Sequence, residues 1–278
     1  MTPTSIAEFS SQAAMRYLQS AVFIDDNIYN QISKSPEAVV NAEPRQPKAV
    51  IQPEVTVQPT ATASPETPPS SEDRPTPPFR TKDLVGSFAE FGIVCALYEP
   101  EPNFPTDEDS VVFKLCQTAD LVILDWDFHE VGVEGTKPKA LIANLIRSGN
   151  RVAPHHVRLI AIYTNTQSLY SIANSMLQHL ESEEMKPEPV DGSALRLQVG
   201  SSRVVVLGKA GGVMRVETEQ PFTVMEKDLA KRLLNEFAVM NEGILPSCAL
   251  LGMAAVRRNS RRILDKFPAC PLSLKPRH

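Results

Sequence analysis

The chain has 278 residues and a formal net charge of −5, with 28 Lys and Arg against 33 Asp and Glu, so it offers no broad basic field for nucleic acid. No run approaches the roughly 18 uninterrupted apolar residues of a membrane span, and the N-terminus lacks the basic start and apolar stretch of a signal peptide. The four cysteines, Cys95, Cys116, Cys248 and Cys270, form no CxxC pair, which suits reduced thiols in a cytoplasmic protein that binds neither nucleic acid nor membrane.

Thr4 to Ser20 sets Ile6, Phe9, Ala13, Ala14, Tyr17 and Leu18 near helical spacing, with Thr4 as N-cap, and predicts an N-terminal helix within 1–20. Ala21-Val22-Phe23-Ile24 follows as a short strand, apolar on both faces as a central parallel strand is, and delivers Asp25-Asp26-Asn27 to the sheet edge. Eleven of the 24 prolines then fall between Pro36 and Pro78. The stretch 31–80, rich in Pro, Thr, Ser, Val, Glu and Ala and without a sustained apolar period, reads as a disordered or extended insertion.

Lys82 to Phe91 reads as a helix stopped by Gly92, and Gly92 to Tyr98 as the second strand. A helix over Asp107 to Gln117 leads to the third strand at Asp120 to Leu124, and one over Lys139 to Arg147 leads to the fourth at Val157 to Tyr163. After a helix over Gln167 to Leu180 and a polar connection from Glu181 to Ser193, the runs Leu195 to Val199 and Arg203 to Gly208 flank Gly200-Ser201-Ser202. They suit a hairpin whose second arm is the fifth core strand and whose first arm is an added antiparallel edge. Phe222 to Phe267 is strongly helical, with a break or kink expected at Gly243 and Pro246. Strand and helix alternate as in an α/β domain, here spanning 21–237 around the insertion, and the helical extension 238–278 is longer than a closing crossover needs and reads as a partner surface.

The polar residues that end these strands share one chemistry. In an open parallel sheet the crevice lies beyond the carboxyl ends of the strands, so Asp25-Asp26, Asp125, Thr164 and Lys209 converge on one site. Three carboxylates together repel, by about 4 kcal/mol for two unit charges about 4 Å apart at an effective dielectric near 20, so a bound cation or a raised carboxylate pKa is expected. A hard divalent ion such as Mg2+ takes oxygen ligands of this kind. Lys209 offers a compact positive charge and Thr164 a hydroxyl to a phosphoryl group, and Asp125, after the most apolar strand, is the expected acceptor.

In this order and placement the chain resembles the receiver domain of two-component response regulators over about 21–30 and 81–237. The resemblance implies a doubly wound five-stranded parallel sheet in the order 2-1-3-4-5. It further implies a phosphoacceptor at Asp125, assisted by Thr164 and Lys209, and Mg2+ held by Asp25, Asp26, Asp125 and the backbone carbonyl of Asp127. A histidine kinase or phosphotransfer protein is the implied partner, and the implied role is a phosphorelay intermediate, a phosphate sink or a partner switch, with an effector docking on the C-terminal helices. Typical receivers have Lys-Pro after the fifth strand and an aromatic residue three positions before the lysine. Here Ala210-Gly211-Gly212 follows Lys209 and Val206 replaces the aromatic, features similar to those of divergent receivers in bacterial conflict and antiphage signalling.

Plainer readings stand beside each residue. Asp25-Asp26 alone suits a strand-end turn, Thr164 a helix cap and Lys209 a loop lysine; it is their joint order that points to a pocket. Arg257-Arg258 with Arg261-Arg262 read as a solvated face, His155-His156 as a solvated loop, Trp126 as packing or gating, and His129 as a candidate modulator of the pocket. One alternative is a receiver-like interaction scaffold that works without phosphorylation. Another is a phosphatase of the haloacid-dehalogenase type, although in that class an acidic pair follows the lysine, and here the pair comes first. No GxxxxGK, GxSxG or HExxH motif is present, so the expected chemistry is phosphoryl acceptance with at most self-dephosphorylation.

Overall fold

The computed structural model describes residues 5–28, 80–128, 135–152 and 156–264. The insertion read over 31–80, apart from Arg80, lies outside them, as do His129, His155 and Cys270.

Helix α1 (Ile6–Tyr17) opens on Ser5, whose Oγ accepts the Glu8 amide at 3.1 Å, so the cap is Ser5 and not Thr4. Strand β1 (Ser20–Ile24) follows directly; α2 (Thr81–Ala89), β2 (Val94–Tyr98), α3 (Val111–Thr118) and β3 (Leu121–Leu124) come next. After α4 (Thr136–Val152), β4 (Arg158–Thr164) and α5 (Leu169–Ser182), the strands β5 (Glu188–Val190), β6 (Ser193–Val199) and β7 (Ser202–Lys209) complete the sheet edge. A 3-10 turn (Glu217–Phe222) leads to β8 (Thr223–Val224), and α6 (Glu226–Met240) and α7 (Ile244–Leu264) end the described chain.

The sheet runs β2-β1-β3-β4-β7-β6-β5, with β8 beside the last residues of β7. Its core, β2-β1-β3-β4-β7, is parallel throughout and reproduces the expected 2-1-3-4-5 order, with β7 as the fifth core strand. The antiparallel edge holds two strands where one was expected. The polar connection after α5 contains β5, whose Pro189 cannot donate to a ladder and is tolerated because the strand is outermost. β3 and β4 are buried along their whole length, whereas β2 and β5 at the two edges are partly exposed. That difference explains the uninterrupted apolar runs of the central strands.

The helices form two layers. α3 packs on α4 and α4 on α5, while α2 packs on α6, α6 on α1 and α1 on α7. Ser110 and Ser168 cap α3 and α5 by accepting the amides of Phe113 and Ser171. The apolar face of α6, with Leu229, Leu233, Leu234 and Phe237, is buried, and Phe237 stacks on Tyr17 of α1 with ring centroids 5.6 Å apart. Gly243, at φ 139, breaks the chain between α6 and α7, while Pro246 sits in the first turn of α7, where a missing N–H costs nothing. Among the described residues no helix is long and apolar enough to cross a membrane.

Register is what this fold contributes to function. β1 and β3 pair Ile24 with Leu124, so Asp25 and Asp125 stand side by side immediately beyond them. β4 and β7 pair Thr164 with Gly208, which leaves Lys209 one residue further along the same edge.

Candidate functional site

The two aspartates are both buried, Asp25 at 3 % exposure and Asp125 at 9 %. Each is held by its own turn through one oxygen: Asp25 Oδ1 accepts the Asn27 amide at 2.9 Å, and Asp125 Oδ1 accepts the Trp126 amide at 2.7 Å. The other oxygen of each faces one cation. Lys209 Nζ donates to Asp25 Oδ2 and to Asp125 Oδ2, both at 2.7 Å. Its ammonium also lies 5.8 Å from the centre of the Tyr163 ring, whose hydroxyl is tied to the Val224 carbonyl at 2.9 Å.

The electrostatics follow from this geometry. Burial pushes the Asp125 carboxyl up to about 6, with Lys209 pulling it back and the charge of Asp25 adding to the rise. Burial alone would lower Lys209, but the carboxylates of Asp125 and Asp25 outweigh it and hold the ammonium above the usual lysine range. The arrangement sets two carboxyl groups around one ammonium, and a further cation would offset the repulsion between them.

The structure brings Asp25, Asp125 and Lys209 into direct contact. Thr164 is at the adjoining strand end, buried, with its Oγ1 3.1 Å from Thr166 Oγ1 and accepting the Thr166 amide at 3.2 Å. Asp26 is half-buried and the Asp127 side chain is exposed. Among the described residues no three acidic, histidine or cysteine side chains cluster as a metal cage. A magnesium ion needs fewer: it binds through one or two carboxylates and keeps several waters, so the hard oxygen donors of Asp25 and Asp125 fit its chemistry.

Neighbouring residues take simpler roles. Trp126 is packed down beside Gly135, where a Cβ would come within 2.1 Å of the indole ring. His156 lies before β4, at the opposite end of the sheet, close to Arg158, and burial lowers its pKa with help from the Arg158 charge. Arg257 corrects the reading of a solvated arginine face: its guanidinium donates to Asp120 Oδ1 at 2.8 Å and covers the Tyr17 ring at 4.5 Å, while Arg258 is exposed.

The departure after Lys209 has a local cause. The Ala210 amide donates to the Val224 carbonyl at 3.0 Å, joining the turn to β8, and a proline there has no such hydrogen to give. Val206 is fully enclosed within β7 opposite Ile162. Sequence reasoning missed Arg215, a buried arginine whose guanidinium reaches the backbone of both Thr164 and Lys209. The run Lys209-Ala210-Gly211-Gly212 hinted at close backbone approach there without identifying what approaches.

A family model described as response receiver domain matches residues 17–213. No curated protein and no solved structure matches the sequence. Receiver domains in general use Mg2+ when they take a phosphoryl group and interact with histidine kinases or phosphotransfer proteins. The match spans every residue of the acid and lysine constellation, and the chain belongs to the response receiver domain family, whose general role is phosphoacceptance in response-regulator signalling.

Proposed function

We propose that Asp125 accepts a phosphoryl group from a histidine kinase or phosphotransfer partner, and that the observation carrying this reading is the shared ammonium of Lys209, 2.7 Å from both Asp125 and Asp25. A carboxylate oxygen of Asp125 attacks phosphorus, the bond from phosphorus to the donor's imidazole nitrogen breaks, and that nitrogen keeps the bonding pair. The acceptor oxygen becomes an acyl phosphate, so Lys209 exchanges a carboxylate partner for phosphoryl oxygens without leaving Asp25. The Thr164 hydroxyl, now spent on its own turn, is the neighbouring donor available to those oxygens.

Mg2+ would be held by Asp25 and Asp125, with Asp26 and the backbone carbonyl of Asp127 completing the protein's share. When bound it neutralises charge on the phosphoryl oxygens as they approach a carboxylate. The added group brings nearly two negative charges and three strong acceptors to a buried site. Two populations of the loops after β4 and β7 would then differ in their partners. On this reading the protein is a phosphorelay intermediate, a phosphate sink or a partner switch. The segment 238–278 is its docking extension, supported by Leu245 and Val256, which stand 83 % and 60 % exposed on α7. The absent Lys-Pro and the valine at 206 support a place among divergent receivers like those of bacterial conflict and antiphage signalling.

The test is incubation with Mg2+ and acetyl phosphate, followed by intact mass, for the native chain and Asp125→Asn. A gain of one phosphoryl group in the native chain alone is the expected result. No gain in either, with Mg2+ binding demonstrated, would overturn it in favour of a docking scaffold that keeps its acids. That second reading draws on Val206, which leaves no aromatic ring to follow Thr164.

A further inference from the structure

The chain beyond Lys209 turns back to the end of β4. Arg215, outside the segment matched to the receiver family, is only 7 % exposed there. Its Nη1 donates to the Lys209 carbonyl at 2.9 Å, and its Nη2 donates to the carbonyls of Thr164 at 2.9 Å and Thr166 at 3.1 Å. One planar guanidinium thus holds the backbone of both residues whose side chains flank Asp125 on the β4 and β7 side. A guanidinium offers five donors in a rigid fork, which suits three carbonyls drawn from two loops.

The glycines on this path make room for the clamp. A Cβ on Gly208 would lie 2.5 Å from Arg215 Cζ, and one on Gly212 would lie 2.2 Å from Asn165 Oδ1, so each loop is pressed directly against the other. Arg215 is itself braced: its carbonyl accepts Gln220 Nε2 at 3.1 Å, and the charge of the buried Glu219 acts on it while Glu219 Oε1 accepts the Tyr170 amide at 3.0 Å. Arg215 Nε has no hydrogen-bond partner among the described residues, so the clamp rests on the two terminal nitrogens.

We infer that Arg215 is a positioning residue that couples the Thr164 turn to Lys209, transmitting a displacement of either loop to the other in a receiver whose β7 carries no aromatic ring to do so. This rests on the reading of Asp125 as acceptor, since only then do both loops meet a phosphoryl group. The ladder between β4 and β7 also joins the two strand ends, so the test must separate the guanidinium from the ladder.

The experiment follows the Lys209 Cε signal by NMR in the unphosphorylated full chain. Thr164→Ser is introduced into the native background and into Arg215→Ala, with Arg215→Gln replacing the latter if the alanine variant does not fold. The expected result is a Lys209 response in the native background that falls to less than half without Arg215, because the ladder alone remains. Gly208→Ala, which drives the guanidinium away while leaving the arginine in the chain, should reproduce that loss. Phosphoryl uptake from acetyl phosphate with Mg2+, taken well below the melting midpoint, should fall about tenfold in the Arg215 variant used. An undiminished Lys209 response, or no response even in the native background, overturns the coupling. If the native chain takes no phosphoryl group, the acceptor reading fails on its own, and the Lys209 signal still decides the role of Arg215.

Discussion

β3 is four residues long and carries a buried aspartate at each end, Asp120 before it and Asp125 after it. Asp120 is saturated. Its Oδ2 accepts the Gln19 amide at 3.0 Å and the Ser20 amide and hydroxyl, both at 3.2 Å, while Oδ1 takes Arg257 at 2.8 Å. Asp125 has one backbone amide on Oδ1, and on Oδ2 a lysine that it shares with a second carboxylate. A carboxylate fixed on all sides by the chain ends around it ties α1, β1, β3 and α7 together. One whose outer oxygen meets a single flexible ammonium can exchange that partner. The same residue type, five positions apart, is a staple where β3 begins and the proposed phosphoryl acceptor where it ends.

Substitution separates the two ends most sharply. Asp125→Asn should abolish phosphoryl acceptance outright in the intact-mass assay and leave the chain folded. Asp120→Ala should leave acceptance within about twofold of native and lower stability by about 3 kcal/mol, because buried amides and a half-buried arginine lose their acceptor together. Urea unfolding measures the second effect. A loss of acceptance in the Asp120 variant at a temperature where it is fully folded would break the contrast. Gly135→Ala comes next, at about 2 kcal/mol, since the glycine has φ 76 and a Cβ would meet the Trp126 ring at 2.1 Å. Near-native stability in that variant would mean that Trp126 is free to move away from its place beside Asp125.

The carboxyl end of the sheet was the more legible of the two. Central parallel strands leave unbroken apolar runs, so Asp25, Asp125, Thr164 and Lys209 could each be read as the first polar residue after such a run. What could not be read is register and reach: Ile24 pairs with Leu124 and Thr164 with Gly208, and from the strand beyond β4 the Lys209 ammonium reaches both aspartates. The arginines were illegible for a related reason. Arg215 reaches carbonyls up to 51 positions away, and Arg257 reaches Asp120 across 137, with no local period marking either contact. β5 and β8 escaped because one contains a proline and the other has only two residues, too few to show alternation. The helix breaks, set by Gly92 and Gly243 at positive φ, needed only local geometry and were visible in advance.

A third buried carboxylate sharpens the comparison by shifting in the opposite direction from Asp125. Glu236 of α6 receives Arg196 Nε and Nη2 at 2.8 and 2.7 Å, with Arg232 Nη2 at 3.0 Å. Burial would raise its carboxyl as it raises that of Asp125, but the two bonds from Arg196 and the charges of both arginines reverse the sign and hold it below the usual range. A depressed folded value means that Glu236 stabilises the protein fully above the unfolded carboxyl pKa, about 4.3, and loses that contribution as pH falls through the lower folded value. Glu236→Gln should therefore cost about 2 kcal/mol near pH 7, and the gap between native and variant should close in acid below about pH 4. Urea unfolding of both chains from pH 7 to pH 3 tests this. A gap that stayed constant over that range would mean that the clamp holds β6 to α6 by shape and not by charge. Glu236 would then not be held below the usual range, and its contrast with Asp125 would fail.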